Sequence, residues 1–106
     1  MIRFQAEQTG PAELELTSRL SEAFRVAGGV RAAYLVRVTY GVSEEFDVAL
    51  CVSTRSGRDE PSVLTVIEPV FASIFGPHEH LDIVFVNGGR EAAVRSVCEP
   101  FYQENG

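Results

Sequence analysis

Apolar residues recur at three- and four-residue intervals in the first quarter of the chain, which predicts an amphipathic helix. Gly10-Pro11 favours a helix start because proline suits the first helical position, and Gly28-Gly29 favours its end. The apolar stripe between these ends consists of Leu16, Leu20, Ala23, Phe24 and Ala27. Charged residues lie away from the stripe, so we expect one face of this helix to pack on a core.

Two runs of alternating residues follow the helix and predict a β-hairpin. The runs span residues 30–40 and 46–53, and a turn of residues 41–45 joins them. A shorter run at residues 2–6 is a weaker strand candidate near the N-terminus. The first half of the chain therefore predicts a strand, a helix and two further strands.

The second half of the chain predicts a helix, a strand and a short final helix. Helical spacing of apolar residues extends over about 60–74, where Pro69 is expected to kink or split the helix because it lacks a backbone donor. The almost wholly apolar run 81–86 predicts a strand that is central or covered on both faces. Residues 90–98 predict the last helix, and 100–102 end the ordered part.

The predicted order is β-α-β-β-α-β-α, which indicates an α+β fold. The simplest arrangement is a split βαβ pair with two helices on one face of a mostly antiparallel sheet, a ferredoxin-like two-layer sandwich. The face expected beneath the helices carries Tyr34, Val36, Val48, Leu50, Ile83 and Phe85.

The opposite face of the predicted sheet is too apolar for a surface in contact with water. Its predicted members are Ala33, Leu35, Arg37, Ala49, Cys51, Val84 and Val86. We expect the last helix, a second copy of the chain or another protein to cover it. Phe101 and Tyr102 either extend this interaction face or fold back onto the domain.

Size and charge narrow the classes of function. With 106 residues and a net charge of −6, the chain fits one domain over residues 1–106 and disfavours binding to nucleic acids or anionic membranes. All nine basic residues are arginine, so lysine Schiff-base chemistry is excluded. Two cysteines, no visible signal peptide and no long apolar run favour reduced thiols in the cytoplasm.

Three local features were candidates for chemistry. His78 and His80 share a direction on an extended segment, but a closed zinc site needs about four ligands, so we expect a polar loop and no metal. Cys51 lacks a neighbouring base and is expected to pack as an ordinary core residue. Gly88 and Gly89 lie between a strand and a helix, where backbone N–H groups are able to bind an anion, although a tight turn alone explains two glycines.

Three stretches together resemble a known bacterial family. They are residues 30–35 (V-R-A-A-Y-L), residues 82–86 (D-I-V-F-V) and residues 100–102 (P-F-Y). In order and spacing they resemble the C-terminal domain of SseB-like proteins, the enhanced serine sensitivity family, over nearly the whole chain. Members of that family usually carry an N-terminal domain, which implies a stand-alone version or an excised domain here. The resemblance brings no catalytic residue and no cofactor.

Two functions follow as expectations. The first is a non-catalytic accessory domain that binds another protein or forms a homodimer through its second sheet face. The second is a regulatory domain that senses a small molecule such as an amino acid, by analogy with ferredoxin-like domains of the ACT kind. An enzyme is disfavoured because no nucleophile and base stand together in the sequence.

Overall fold

The computed structural model describes residues 2–7, 10–42, 45, 47–76 and 79–104, without the side chain of residue 7. Five strands and three α-helices occupy this part of the chain. In chain order they are β1 (Ile2–Glu7), α1 (Pro11–Ala27), β2 (Val30–Tyr40), β3 (Asp47–Thr54), α2 (Glu60–Ile74), β4 (Asp82–Phe85), α3 (Gly89–Arg95) and β5 (Tyr102–Gln103). The predicted element order is confirmed, and β5 is an added strand of two residues.

The sheet is mixed, with strand order β1-β2-β3-β4. β2 pairs antiparallel with β1, β3 and β5, whereas β3 and β4 are parallel. The α+β class is therefore confirmed. The ferredoxin-like arrangement is confirmed only in part, because most pairings are antiparallel but the strands follow chain order instead of interleaving.

Helices cover both faces of the sheet. α1 and α2 pack on one face, where Leu20, Phe24 and Ile67 are almost completely buried. α3 lies on the opposite face, where Val94 and Cys98 pack against the strands. The last helix, one of the three predicted covers, therefore occupies the second face.

The two faces of β2 are the reverse of the prediction. Antiparallel pairing sets Leu35 opposite Leu50 and Tyr34 opposite Cys51, and directly opposed residues share a face. Ala33 and Leu35 thus lie under α1 and α2, while Tyr34 and Val36 lie on the face of α3. Both sets of β2 residues are apolar, so alternation alone does not reveal which set meets the helices.

The helix α2 runs through Pro69 without being split. Pro69 is exposed, so its ring points away from the sheet. On the side of α2 opposite Pro69, Val63 and Ile67 are buried and pack on the core. Burial of that side maintains the helix despite the missing backbone donor.

The C-terminal segment returns to the sheet. β1 and β5 share one edge of β2, since β1 pairs with its second half and β5 with Ala32 and Ala33. Phe101 and Tyr102 pack against Phe24 of α1, with ring centroids 6.5 and 5.6 Å from the Phe24 ring. These two aromatic residues therefore fold back onto the domain, which is one of the two predicted alternatives.

Candidate functional site

A hydrogen-bonded cluster lies between α3 and the second face of the sheet. The Glu91 carboxylate is its centre, accepting from the Tyr34 hydroxyl at 2.9 Å and from Ser53 Oγ at 3.1 Å. Arg95 donates to the Tyr34 oxygen from Nε at 3.1 Å and from Nη2 at 2.8 Å. Glu91 is only 8% exposed, so these bonds replace water around a buried carboxylate.

Local structure explains why these side chains meet. Tyr34 of β2 and Ser53 of β3 fall on the same face through the hairpin register. Gly88 has φ 57°, a left-handed conformation that suits glycine and turns the chain from β4 into α3. Glu91 and Arg95 are four residues apart on α3, so both project from one side of that helix.

Within this cluster the Tyr34 hydroxyl stays neutral and the Arg95 guanidinium stays charged. Burial raises the pKa of Tyr34, and the hydrogen bond to Glu91 raises it further against the opposing effect of Arg95. The Tyr34 hydroxyl therefore stays protonated and donates to Glu91. Its hydrogen bond with Arg95 raises the pKa of that guanidinium, which remains charged.

A polar hollow of about 390 Å³ opens beside this cluster, and we call it the arginine hollow. Its lining consists of Arg31, Ala32, Arg55, Glu91, Arg95, Gln103 and Glu104. Three guanidiniums and two carboxylates give the lining a formal charge of +1, in a chain with a net charge of −6. The hollow is a local reversal of the charge of the molecule.

The carboxylates of the arginine hollow are recessed relative to the guanidiniums. The side chains of Arg31, Arg55 and Arg95 are 57%, 60% and 49% exposed. Those of Glu91 and Glu104 are 11% and 25% exposed. A solute that enters the hollow therefore meets guanidinium groups first, which favours an anion.

The three arginines differ in how far they are engaged. Arg55 Nε donates to both oxygens of Glu104, at 3.0 and 2.8 Å, and its Nη2 also bonds Glu104. Arg31 Nη2 stands 3.8 Å from Glu91 Oε1, beyond hydrogen-bonding distance. Arg31 thus offers donors that this carboxylate does not use.

Of the two predicted anion-binding glycines, one lies near the arginines. Gly88 lines a second shallow hollow together with Arg31, Glu91, Ala92 and Arg95. Arg31 and Arg95 line both hollows, so the two hollows adjoin. Gly89 begins α3 and does not belong to either lining.

The residues of the predicted interaction face do not form one open surface, which corrects their expected placement. Ala33 and Leu35 are buried beneath α1 and α2, and Arg37 shares their side of the sheet through its pairing with Val48. The residues placed correctly on the second face are Ala49, Cys51, Val84 and Val86. Of these only Val84 is partly exposed.

The two cysteines are buried and reduced. Burial, with a smaller contribution from the neighbouring Cys98, raises the pKa of Cys51 to about 12. A thiol with such a pKa is almost wholly protonated at neutral pH, which makes it a poor nucleophile. The predicted packing role of Cys51 agrees with its position in the core on the face of α3.

A second polar cluster lies at the far end of the sheet. The Tyr40 hydroxyl donates to Asp82 Oδ2 at 2.7 Å, and the exposed His80 ring contacts Asp82 Oδ1. Burial opposes ionisation of Asp82, but the hydrogen bonds from Tyr40 and His80 outweigh it and lower the pKa of Asp82. His78 lies outside the described residues, and no group of three metal-capable side chains occurs within them.

Sequence reasoning missed the arginine hollow. Its members are separated in sequence and carry no motif, but two signals pointed to it. Arg31 is the second residue of β2 and Arg55 directly follows β3, so the hairpin brings both to one end of the sheet. The spacing of Glu91 and Arg95 places both on one side of α3. Only the tertiary structure shows that this side of α3 faces the end of the sheet where Arg31 and Arg55 lie.

Comparison with known proteins identifies a family but no described relative. The family model described as SseB protein C-terminal domain matches residues 6–104. No curated protein and no solved structure matches the chain. Within the described ranges, no helix has the length and apolar character needed to cross a bilayer.

Proposed function

We propose, from the premise that this chain belongs to the SseB protein C-terminal domain family, that it is a non-catalytic regulatory domain that binds a small anion. The arginine hollow carries this proposal. Three of the nine arginines of an acidic chain converge on one cavity, and their guanidinium ends lie nearer to solvent than its two carboxylates.

The size and charges of the hollow indicate the class of ligand. A volume of about 390 Å³ is at the lower end of the range for small-molecule sites. Guanidinium forks bind carboxylate and phosphate oxygens in pairs. A small carboxylate, an amino acid or a phosphate therefore fits, and this supports the sensing function predicted from the sequence on grounds other than ferredoxin-like analogy.

The groups that line the hollow favour binding over catalysis. The Glu91 carboxylate already accepts hydrogen bonds from Tyr34 and Ser53, so it is poorly placed to take a proton from a substrate. The raised pKa of Tyr34 keeps its hydroxyl protonated, which disfavours it as a base or a nucleophile. Arginine recognises oxyanions without giving up its own proton.

Nuclear magnetic resonance titration of the arginine side chains tests the proposed function. L-serine, L-glutamate, glutarate and inorganic phosphate are added separately at millimolar concentration and constant ionic strength. We expect saturable shifts of the Arg31 and Arg55 Nε–H signals with at least one of these probes. The absence of saturable shifts with all four would overturn the proposal.

Two variants that each remove one positive charge distinguish binding in the arginine hollow from a general electrostatic effect. Arg31→Gln should weaken binding of the anion that gives saturable shifts about fivefold. This is the effect of losing roughly 1 kcal/mol at a partly exposed charge contact. Arg25→Gln removes the same charge from α1, where Arg25 pairs with Glu22 and is 68% exposed. Equal losses in the two variants would indicate that the anion does not bind in the hollow.

Self-association is a second candidate, favoured by a partly open apolar margin around α3. Four half-buried side chains remain there, and they are Ile2, Phe4, Val84 and Val97. We propose that a second copy covers this margin. Light scattering over a concentration series should then show a dimer that Val84→Glu dissociates, and a monomer at high concentration would remove this candidate. Leu35→Glu is unsuitable because Leu35 is buried under α1 and α2.

A further inference from the structure

The C-terminal end of the chain carries a carboxylate that already occupies part of the arginine hollow. Arg55 binds both oxygens of Glu104 in a two-pronged contact, with Nε donating to Oε1 and Nη2 donating to Oε2. This is the geometry in which arginine binds a free carboxylate ligand. Glu104 is 49 residues from Arg55 in sequence, so the pair exists only because β5 returns to the edge of β2.

From this contact we infer that Glu104 is an internal competitor, and that a carboxylate-bearing ligand binds Arg55 by displacing it and releasing the end of the C-terminal strand. The inference rests on the proposed function of the arginine hollow. The expected ligand is a carboxylate, because a carboxylate, that of Glu104, binds Arg55 in the structure.

The segment to be released is weakly held. Beyond Tyr102 the described chain consists of Gln103 and Glu104, and the latter donates its backbone N–H to the Arg31 carbonyl at 2.8 Å. Gln103 is exposed and Glu104 is half-buried. A partly exposed ion pair and one such backbone bond hold Glu104, and a solute carboxylate offers Arg55 the same oxygen atoms.

The preceding residues form the anchor of the strand. Phe101 and Tyr102 pack on Phe24, which is 1% exposed, and the Phe101 N–H bonds the Ala33 carbonyl at 2.9 Å. Leaving the core would expose two aromatic rings, whereas release of residues 103–104 exposes none. Among the described residues, displacement is therefore confined to 103–104.

The arrangement couples occupancy of the hollow to the state of the C-terminus. Without ligand, Glu104 neutralises Arg55 and β5 extends along the edge of β2. With a carboxylate on Arg55, the Glu104 side chain loses its partner and the last backbone bond to Arg31 opens more often. Ligand binding thus appears as the release of the segment that follows Tyr102.

Glutarate affinity of Glu104→Gln tests the competition. The amide keeps the shape of the side chain but not its charge, so Arg55 becomes available and glutarate should bind about two- to fivefold more tightly than to the wild type. Glu99→Gln, a change of the same charge outside the hollow, is the control. Equal affinity of wild type and Glu104→Gln overturns the inference and leaves the proposed function intact. No glutarate binding by either protein also overturns the inference, and the proposed function is overturned with it only if the other three probes fail as well.

Amide hydrogen exchange gives an independent readout. Saturating glutarate should accelerate exchange of the Glu104 amide in the wild type and leave the Phe101 amide unchanged. Binding without displacement would instead slow exchange at Glu104, which contradicts the inference. In Glu104→Gln, the amide of residue 104 should already exchange faster before glutarate is added.

Discussion

At the scale of single residues, Glu91 decides how the second face of the sheet is organised. Its carboxylate is buried and accepts from Tyr34 and Ser53, which belong to two different strands. These two bonds link α3 to β2 and β3, and Arg95 of the same helix lies 3.4 Å from the carboxylate. A buried carboxylate of this kind is tolerated because hydrogen bonds and nearby guanidiniums replace its water.

Substitution of Glu91 should therefore destabilise the fold. In Glu91→Ala, the Tyr34 and Ser53 hydroxyls lose their acceptor, and we expect a loss of about 2–3 kcal/mol in the free energy of unfolding. Urea denaturation measures this loss. Glu68→Ala is the matched control, because Glu68 is exposed on α2 and its removal should change stability by less than about 0.5 kcal/mol. Similar losses in both variants would contradict the role of the cluster.

At the scale of elements, α2 shows tertiary packing prevailing over local propensity. Pro69 lies well inside the helix Glu60–Ile74 and removes a hydrogen bond, and yet the helix continues for another turn. Its buried residues Val63 and Ile67 secure it to the sheet. A proline on the exposed side of such a helix lowers stability without changing the fold.

Pro69→Ala should accordingly stabilise the protein. Alanine restores the missing donor and has a better helix propensity, so we expect the free energy of unfolding to rise by about 1–3 kcal/mol. Pro61→Ala serves as the control, because Pro61 lies in the first turn of α2, where backbone N–H groups have no partner within the helix. Thermal denaturation of both variants measures the difference, and a stability gain at Pro61 equal to that at Pro69 would contradict this explanation.

At the scale of the whole molecule, the fold raises the pKa of several weak acids, which keep their protons well above neutral pH. Burial raises the pKa of Cys51 from 9.0 to about 12 and that of Tyr40 from 10.0 to about 12. The pKa of Tyr34 is raised as well, first by burial. The folded chain therefore holds protons that the unfolded chain releases at lower pH.

Stability should fall at alkaline pH for this reason. A raised pKa in the folded state contributes stability fully below the unfolded value, and that contribution is lost as the pH rises from about 9 to about 12. Urea denaturation at pH 8, 9, 10 and 11 should show a decreasing free energy of unfolding. Tyr40→Phe removes one of these protons and should make the decrease less steep above pH 10, whereas a wild type of constant stability over this range would contradict the linkage.

The order and approximate bounds of the main elements follow from local sequence pattern. Local pattern was sufficient for α1, where proline, an apolar stripe and two glycines agree with the observed Pro11–Ala27. It was also sufficient for β2, whose bounds Val30–Tyr40 match the prediction. These signals depend on neighbours within a few residues, which is why a single sequence contains them.

Tertiary structure alone decided the strand order, the faces of β2 and the arginine hollow. β2 has apolar residues on both sides, so only pairing with β3 reveals that Leu35 meets the helices and Tyr34 meets α3. Arg31, Arg55 and Glu104 gather because a hairpin end and a returning C-terminal strand converge. Contacts between residues far apart in the chain depend on register and packing, which local periodicity does not encode.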